Sequence, residues 1–184
     1  VAAGGATSID AAQELVRAKL MGRARDGSPL MAPRGPGAND FDYRHDSDGA
    51  QCPFASHVRR ANPRTTLSGK RPPRIVRRGM SYGAPDHAPG ERGVLFMAYN
   101  ASIAEQFEVI QRWLTGGNSG GVSSAQPDPL LGVPHAGEAS VFQFTQGDQV
   151  IRVDLGDQPI CRLEWGLYAF VPSMHLLASL QDWI

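Results

Sequence analysis

Hydrophobic positions in this chain recur at helical spacing in three well-marked places. Ala12, Leu15, Val16 and Leu20 share one face of a first helix, which Ser8 or Asp10 can cap and Gly22 can end. Ser102-Ile103-Ala104-Glu105 matches a capping box, and Ile103, Phe107, Ile110 and Leu114 then fall on one face of a helix ending at Gly116. Leu176, Leu177, Leu180 and Trp183 describe a last helix that Ser173 can cap. A shorter helix over 52–61, opened by Pro53, would carry His57 on one side and Arg60 nearly one turn away.

Elsewhere the period changes. Val94 to Tyr99 shows no alternation and reads as a strand covered on both faces. A short strand is expected from about Arg74 to Arg77, with Gly79 and Gly83 allowing tight turns beside it. Val141 to Thr145 and Gln149 to Leu155 alternate, with Gln146-Gly147-Asp148 as the turn of a hairpin, and Leu167 to Val171 makes a further strand. Two long connections, 23–51 and 116–137, are rich in Gly, Pro and polar residues and must run over the surface. No internal repeat is present. Helices, strands and long loops in this order predict an α+β fold: a mainly antiparallel, ferredoxin-like sheet with helices on one face and long wrapping loops.

Composition narrows the function classes. The 184 residues, 41% hydrophobic, suffice for one domain with a real core. Lys plus Arg equals Asp plus Glu at 18 each, so neither nucleic acid nor an anionic membrane is the expected partner. The charge is uneven, however: Arg59, Arg60, Arg64, Lys70, Arg71, Arg74, Arg77 and Arg78 crowd one quarter of the chain and point to a local anionic ligand. Cys52 and Cys161 are too few for a disulfide scaffold and lack a metal-binding spacing. No apolar run approaches the roughly 18 residues a bilayer span needs. The N-terminus lacks a secretory layout, and Val1 in place of an initiator Met suggests a chain trimmed or cut from something longer, so no compartment is assigned.

The candidate chemistry centres on Cys52 to Arg64, CPFASHVRRANPR. A histidine can ligate a metal through one ring nitrogen while a partner holds the other, and arginines nearby can hold carboxylates such as haem propionates. The same residues also suit an ordinary half-buried histidine beside a solvated basic face.

Five blocks in order change that balance: LMGRARDGSPL (20–30), NDFDYRHDSDGAQCPFASHVRRANPR (39–64), RIVRRGMSYG (74–83) with RGVLFMAYNASIAEQFEVIQRWL (92–114), DPLLG (128–132) and GLYAFVPSMHLLASL (166–180). Together they resemble the C-terminal half of a dye-decolorising peroxidase, a haem enzyme of two ferredoxin-like domains. The resemblance implies that 1–184 is a single haem-ligating domain without its N-terminal counterpart. It makes His57 the proximal ligand of the iron of haem b and Arg77 the distal arginine, which stabilises charge on the departing peroxide oxygen and holds a propionate. Val94 and Phe96 would line the distal pocket, Arg92 would reach a propionate, and Arg78 would face solvent. Glu105 and Glu108 are candidates for the carboxylate that accepts from the other ring N–H of His57, or else are a capping-box acid and a partner of Arg112. Trp113, Trp165 or Tyr168 could relay electrons, although each also suits a core or loop anchor.

One part of the family pattern is missing. Relatives take their acid–base aspartate from a G-x-x-D-G motif in the N-terminal half. The near match His45 to Gly49 has His in place of the first Gly and lies in the wrong block, so Asp48 is a poor substitute. The expected function is therefore a haem-dependent peroxidase, or its C-terminal haem-binding portion, using hydrogen peroxide to oxidise bulky aromatic or dye-like substrates. A second chain carrying the N-terminal half could supply the aspartate. The alternatives are a non-catalytic haem-binding or assembly subunit and a haem-free remnant of the fold.

Overall fold

A computed structural model describes residues 9–64, 71–85, 88–117, 124, 126–133 and 138–180. The element order is α1 (Ile9–Met21), α2 (His57–Ala61), β1 (Val76–Gly83), β2 (Arg92–Tyr99), α3 (Phe107–Leu114), β3 (Ser140–Gln146), β4 (Gln149–Gly156) and α4 (Met174–Ser179). This is the α+β, ferredoxin-like class with antiparallel strands. The strands pair as two two-stranded sheets, β1 with β2 and β3 with β4.

Several elements form as the pattern predicts. Val16 and Leu20 of α1 pack against Ala55, Phe142 and Phe144, so the apolar stripe of the first helix faces the β3–β4 sheet. β3 and β4 close through Gly147-Asp148, with Gln146 opposite Gln149 and Gly147 at φ 58°. Ser173 caps α4, its hydroxyl accepting from the Leu176 N–H at 3.1 Å. The alternative cap Ser8, Lys70 in the basic run and Trp183 in the last apolar stripe lie outside the described residues.

Other expectations need correction. β1 begins later than expected and runs to Gly83; Gly79 sits inside the strand opposite Phe96, and only Gly83, at φ 96°, ends it. β2 is not covered on both faces: Val94 is 63%, Leu95 42%, Phe96 47% and Met97 41% exposed. Its side chains are as apolar as expected, but a two-stranded ribbon has faces that another layer must fill. Leu167–Val171 forms no strand, because its backbone has no neighbouring strand to pair with among the described residues. The capping box is half realised: the Ser102 hydroxyl accepts from the Glu105 N–H at 3.3 Å, yet residues 103–106 are turn and α3 starts at Phe107. There the Gln106 side chain competes, its carbonyl accepting from the Ala101 and Ser102 N–H groups at 2.7 and 3.0 Å. The helix expected from Cys52 shrinks to 57–61 for a similar reason. Upstream backbone is engaged elsewhere, with the N–H of Cys52 donating to Asp46 Oδ2 at 2.9 Å.

Among the described residues three small cores hold the elements: Met31, Phe41, Tyr43 and Cys52 under the long first connection; Ala55, Phe142 and Phe144 between α1 and β3; and Ile110, Trp113 and Leu114 on α3, packed with Ala61 of α2. α2 is therefore wedged between α1 and α3.

Candidate haem-ligating site

His57 opens α2, and its position is fixed by the residues around it. Ser56 does not cap the helix with its side chain; its hydroxyl donates to the carbonyl of Lys19 and ties α2 to α1. Arg59 pins the other side. It is 4% exposed, donates to Asp46 Oδ2 at 2.7 Å and to the Asp46 carbonyl at 2.8 Å, and lies 4.4 Å from the ring centroids of both Tyr43 and Phe54. Asp46 in turn accepts from the Gln51 and Cys52 N–H groups at 2.8 and 2.9 Å, so a buried ion pair organises the chain entering α2.

The His57 side chain remains 27% exposed, and its Nδ1 lies 2.9 Å from Oδ2 of a fully buried Asp128. The other carboxylate oxygen, Oδ1, accepts from the Leu130 and Leu131 N–H groups at 2.9 and 2.8 Å. The Asp128 N–H donates to the Leu114 carbonyl at 2.8 Å, which anchors the segment to the end of α3. An ionised Asp128 with both oxygens occupied is an acceptor for the Nδ1 proton, and that tautomer leaves the Nε2 lone pair available to a metal. The carboxylate that meets His57 is thus Asp128 and neither Glu105 nor Glu108, which are both exposed. Sequence reasoning missed this residue because 71 positions separate it from His57, although DPLLG was among the blocks carrying the resemblance. The motif has a local logic: Asp128 caps its own turn, and a Cβ at Gly132 would stand 2.3 Å from the Asp128 carbonyl oxygen.

The remaining expected site residues gather on the β1–β2 ribbon. The register pairs Arg77 with Ala98, Gly79 with Phe96, Ser81 with Val94 and Gly83 with Arg92. Directly opposed residues share a face and strand faces alternate, so Arg77, Arg92, Val94 and Phe96 all stand on one side of the ribbon. Arg78, opposite Met97, stands on the other. Phe96 contacts Phe107 at 6.2 Å between centroids, and Phe107 meets Tyr168 edge-on at 6.1 Å. The Arg92 guanidinium donates to the Ala88 carbonyl at 2.6 Å. His57 is not among this group; it is engaged by Asp128 on separate elements.

The arginines nearest His57 are not free for an anionic ligand. Arg59 is paired with Asp46, Arg60 donates to the Gln126 carbonyl, and Arg64 donates to the Asn39 carbonyl and side chain over the Phe41 ring. Asp48 is an exposed turn residue accepting from the Ala50 N–H at 3.2 Å. Trp113 is a buried core residue, while Trp165 and Tyr168 are 70% and 57% exposed. Among the described residues no three His, Cys, Asp or Glu side chains converge. His57 therefore offers one protein nitrogen, a donor set that suits a metal already held by a macrocycle.

Comparison with known proteins gives a consistent match. The family described as Dyp-type peroxidase, C-terminal, matches residues 11–128, which include both His57 and Asp128. The multifunctional dye peroxidase DyP2 of Amycolatopsis sp. is 30% identical over 200 residues, 91% of this chain and 42% of that protein. The dye-decolorizing peroxidase AauDyP1 of Auricularia auricula-judae is 31% identical over 146 residues, 62% of this chain and 29% of that protein. A solved structure of DyP2 superposes with a TM-score of 0.62 at 29% identity, over 84% of this chain and 38% of that one. The chain spans less than half the length of these relatives.

Proposed function

Because the chain belongs to the dye-decolorising (Dyp-type) peroxidase family, we propose that residues 1–184 act as a single haem-ligating domain of a hydrogen-peroxide-dependent oxidoreductase. Its reductants would be bulky aromatic or dye-like molecules. The observation that carries this reading is the 2.9 Å contact between His57 Nδ1 and the buried Asp128 carboxylate. A carboxylate accepting from one ring N–H fixes the tautomer and strengthens donation from the other nitrogen, as ligating histidines require. Haem b, when bound, supplies an iron centre at which peroxide is reduced and electrons are drawn from the reductant.

In this reading His57 would hold the iron through Nε2 and Asp128 would keep the ring oriented. Arg77 would supply a permanent positive charge for the departing peroxide oxygen. Arg92 and Arg77 would meet propionates, and Val94 and Phe96 would give the same face an apolar surface against the macrocycle. These assignments are supported by the shared face of Arg77, Arg92, Val94 and Phe96. Asp48, in an exposed turn and bonded to the Ala50 N–H, is poorly placed to be the proton carrier. A second chain or segment carrying the N-terminal half is the partner we propose for that step, supported by the apolar side chains exposed on the opposite face of the ribbon, among them Met80, Leu95 and Met97. Without it the chain would be a non-catalytic haem-binding subunit.

The test is purification with haem supplied. A Soret band for the wild type and its loss in His57→Ala are expected, with peroxide-dependent dye oxidation only after the N-terminal half is added. Wild-type protein that takes up no haem would remove the reading; haem without turnover after that addition would leave the binding subunit.

A further inference from the structure

Arg60 plays no part in the function just described, yet it is among the most completely buried side chains, 1% exposed. It lies on α2 one turn after His57. Its Nε and Nη2 both donate to the Gln126 carbonyl, at 3.1 and 2.6 Å, while Nη1 has no hydrogen-bond partner among the described residues. Gln126 precedes Asp128 by two residues and is itself fixed to β3, its side chain exchanging hydrogen bonds with the Gln143 backbone at 2.7 and 3.4 Å. The carbonyl that Arg60 grips thus belongs to the segment that presents Asp128 to His57.

Burying a guanidinium is expensive, and one carbonyl is poor compensation for it. Asp128, also fully buried and two residues beyond the gripped carbonyl, is a nearby negative charge that favours the charged guanidinium, though burial prevails and lowers the Arg60 pKa. Any field that Asp128 exerts on Arg60 is felt in return by Asp128.

We propose that Arg60 is the positioning residue of the His57–Asp128 pair: its two-pronged hold on the Gln126 carbonyl sets where Asp128 stands, and its charge moderates how strongly that carboxylate accepts from His57. A carboxylate partly countered by a buried cation accepts less strongly from the Nδ1 proton, so the imidazole donates less through Nε2. Taking the cation away makes Asp128 the stronger acceptor and His57 the stronger donor. The effect on a bound iron rests on the haem reading; the effect on the hydrogen bond does not.

Two measurements separate these. In the haem-free protein, the His57 Nδ1 proton observed by 1H–15N NMR is expected to move downfield in Arg60→Gln. In haem-loaded protein, Arg60→Gln is expected to raise the iron–histidine stretching frequency of the ferrous form and to make the midpoint potential more negative. Both iron effects should vanish when Arg60→Gln is introduced into an Asp128→Asn background. Should Arg60→Gln fail to fold, Arg60→Met, an apolar replacement of similar length, carries the same expectations. Arg60→Lys keeps the charge without the fork, and a broadened stretching band is expected from a less fixed Asp128. An unmoved Nδ1 proton, an equal potential shift in the Asp128→Asn background, or an Arg60→Lys band identical to the wild type's would each overturn the proposal. A wild type that binds no haem would instead sink the function proposed above, leaving the NMR result to decide the role of Arg60.

Discussion

Arg59 and Arg60 are adjacent, and their side chains leave α2 in different directions to meet different partners: Arg59 closes on Asp46 between two aromatic rings, Arg60 on the Gln126 carbonyl. A run of arginines beside a candidate ligand reads in sequence as an anion site, because periodicity on a five-residue helix cannot say which carboxylate or carbonyl waits at each position. Tyr43, part of the same cluster, has a titration consequence. Burial raises its pKa above the ordinary phenol value. A folded-state pKa above the unfolded one means that the folded form keeps a proton the unfolded chain releases. The contribution is therefore complete below pH about 10 and is lost as pH rises beyond it. The buried thiol of Cys52 is raised for the same reason and acts in the same direction, beginning nearer pH about 8.5. Tyr43→Phe removes the phenol part alone. Its hydroxyl is buried and makes no well-formed hydrogen bond among the described residues, so stability at pH 7 should change by less than about 1 kcal/mol. Urea unfolding followed from pH 8 to 11 should then show a shallower alkaline decline than the wild type, and identical slopes would contradict the assignment.

At the scale of elements, what could be read in the sequence and what could not divide along the range of the forces involved. α1, the β3–β4 hairpin and the Ser173 cap follow from local periodicity and from side chains that bond their own backbone, and they appear where the pattern puts them. His57 was legible as a ligand candidate from its block. Asp128 was not, since the contact depends on how α3 and the segment after it return to α2. The turn 128–132 carries that return, and its geometry makes a prediction. Gly132 lacks the Cβ that would stand 2.3 Å from the Asp128 carbonyl and 2.8 Å from Pro127 Cβ. Neither neighbour is the flexible end of a side chain, so Gly132→Ala must open the turn, at a cost of about 1–3 kcal/mol. Gly79→Ala is the matched control: its Cβ would meet Val94 at 3.6 Å, ordinary contact, and a β-strand tolerates the methyl within about 0.5 kcal/mol. Chemical denaturation of both variants checks the pair, with equal midpoints for the two counting against a strained Gly132. Because Asp128 rides on the same turn, Gly132→Ala should also weaken haem uptake.

For the whole molecule, the feature with the widest consequence is the β1–β2 ribbon, whose two faces both carry apolar side chains left partly exposed among the described residues. One carries Val94 and Phe96 beside Arg77 and Arg92; the other carries Met80, Tyr82, Leu95, Met97 and Tyr99, between 39% and 54% exposed. The unbroken apolar run from Val94 to Tyr99 forms the strand its pattern predicts, but the covering expected on both faces is not found among the described residues. On the function proposed above, a haem on the first face and a partner carrying an N-terminal half on the second would account for both. Met97→Glu separates them. Met97 stands directly opposite Arg78, so a glutamate there gains a cross-strand ion pair and the ribbon should remain folded. Buried against a partner, the same carboxylate loses hydration that Arg78 restores only in part. The variant should therefore bind less of a hydrophobic dye such as ANS when alone. It should also bind the N-terminal half about tenfold more weakly, roughly 1.4 kcal/mol, while its haem uptake through the opposite face is unchanged. Titration of the N-terminal half into haem-loaded wild type and Met97→Glu, followed by isothermal calorimetry, reads the difference directly. Equal affinities would place the interface elsewhere, and loss of haem together with the partner would mean that the two faces do not act independently.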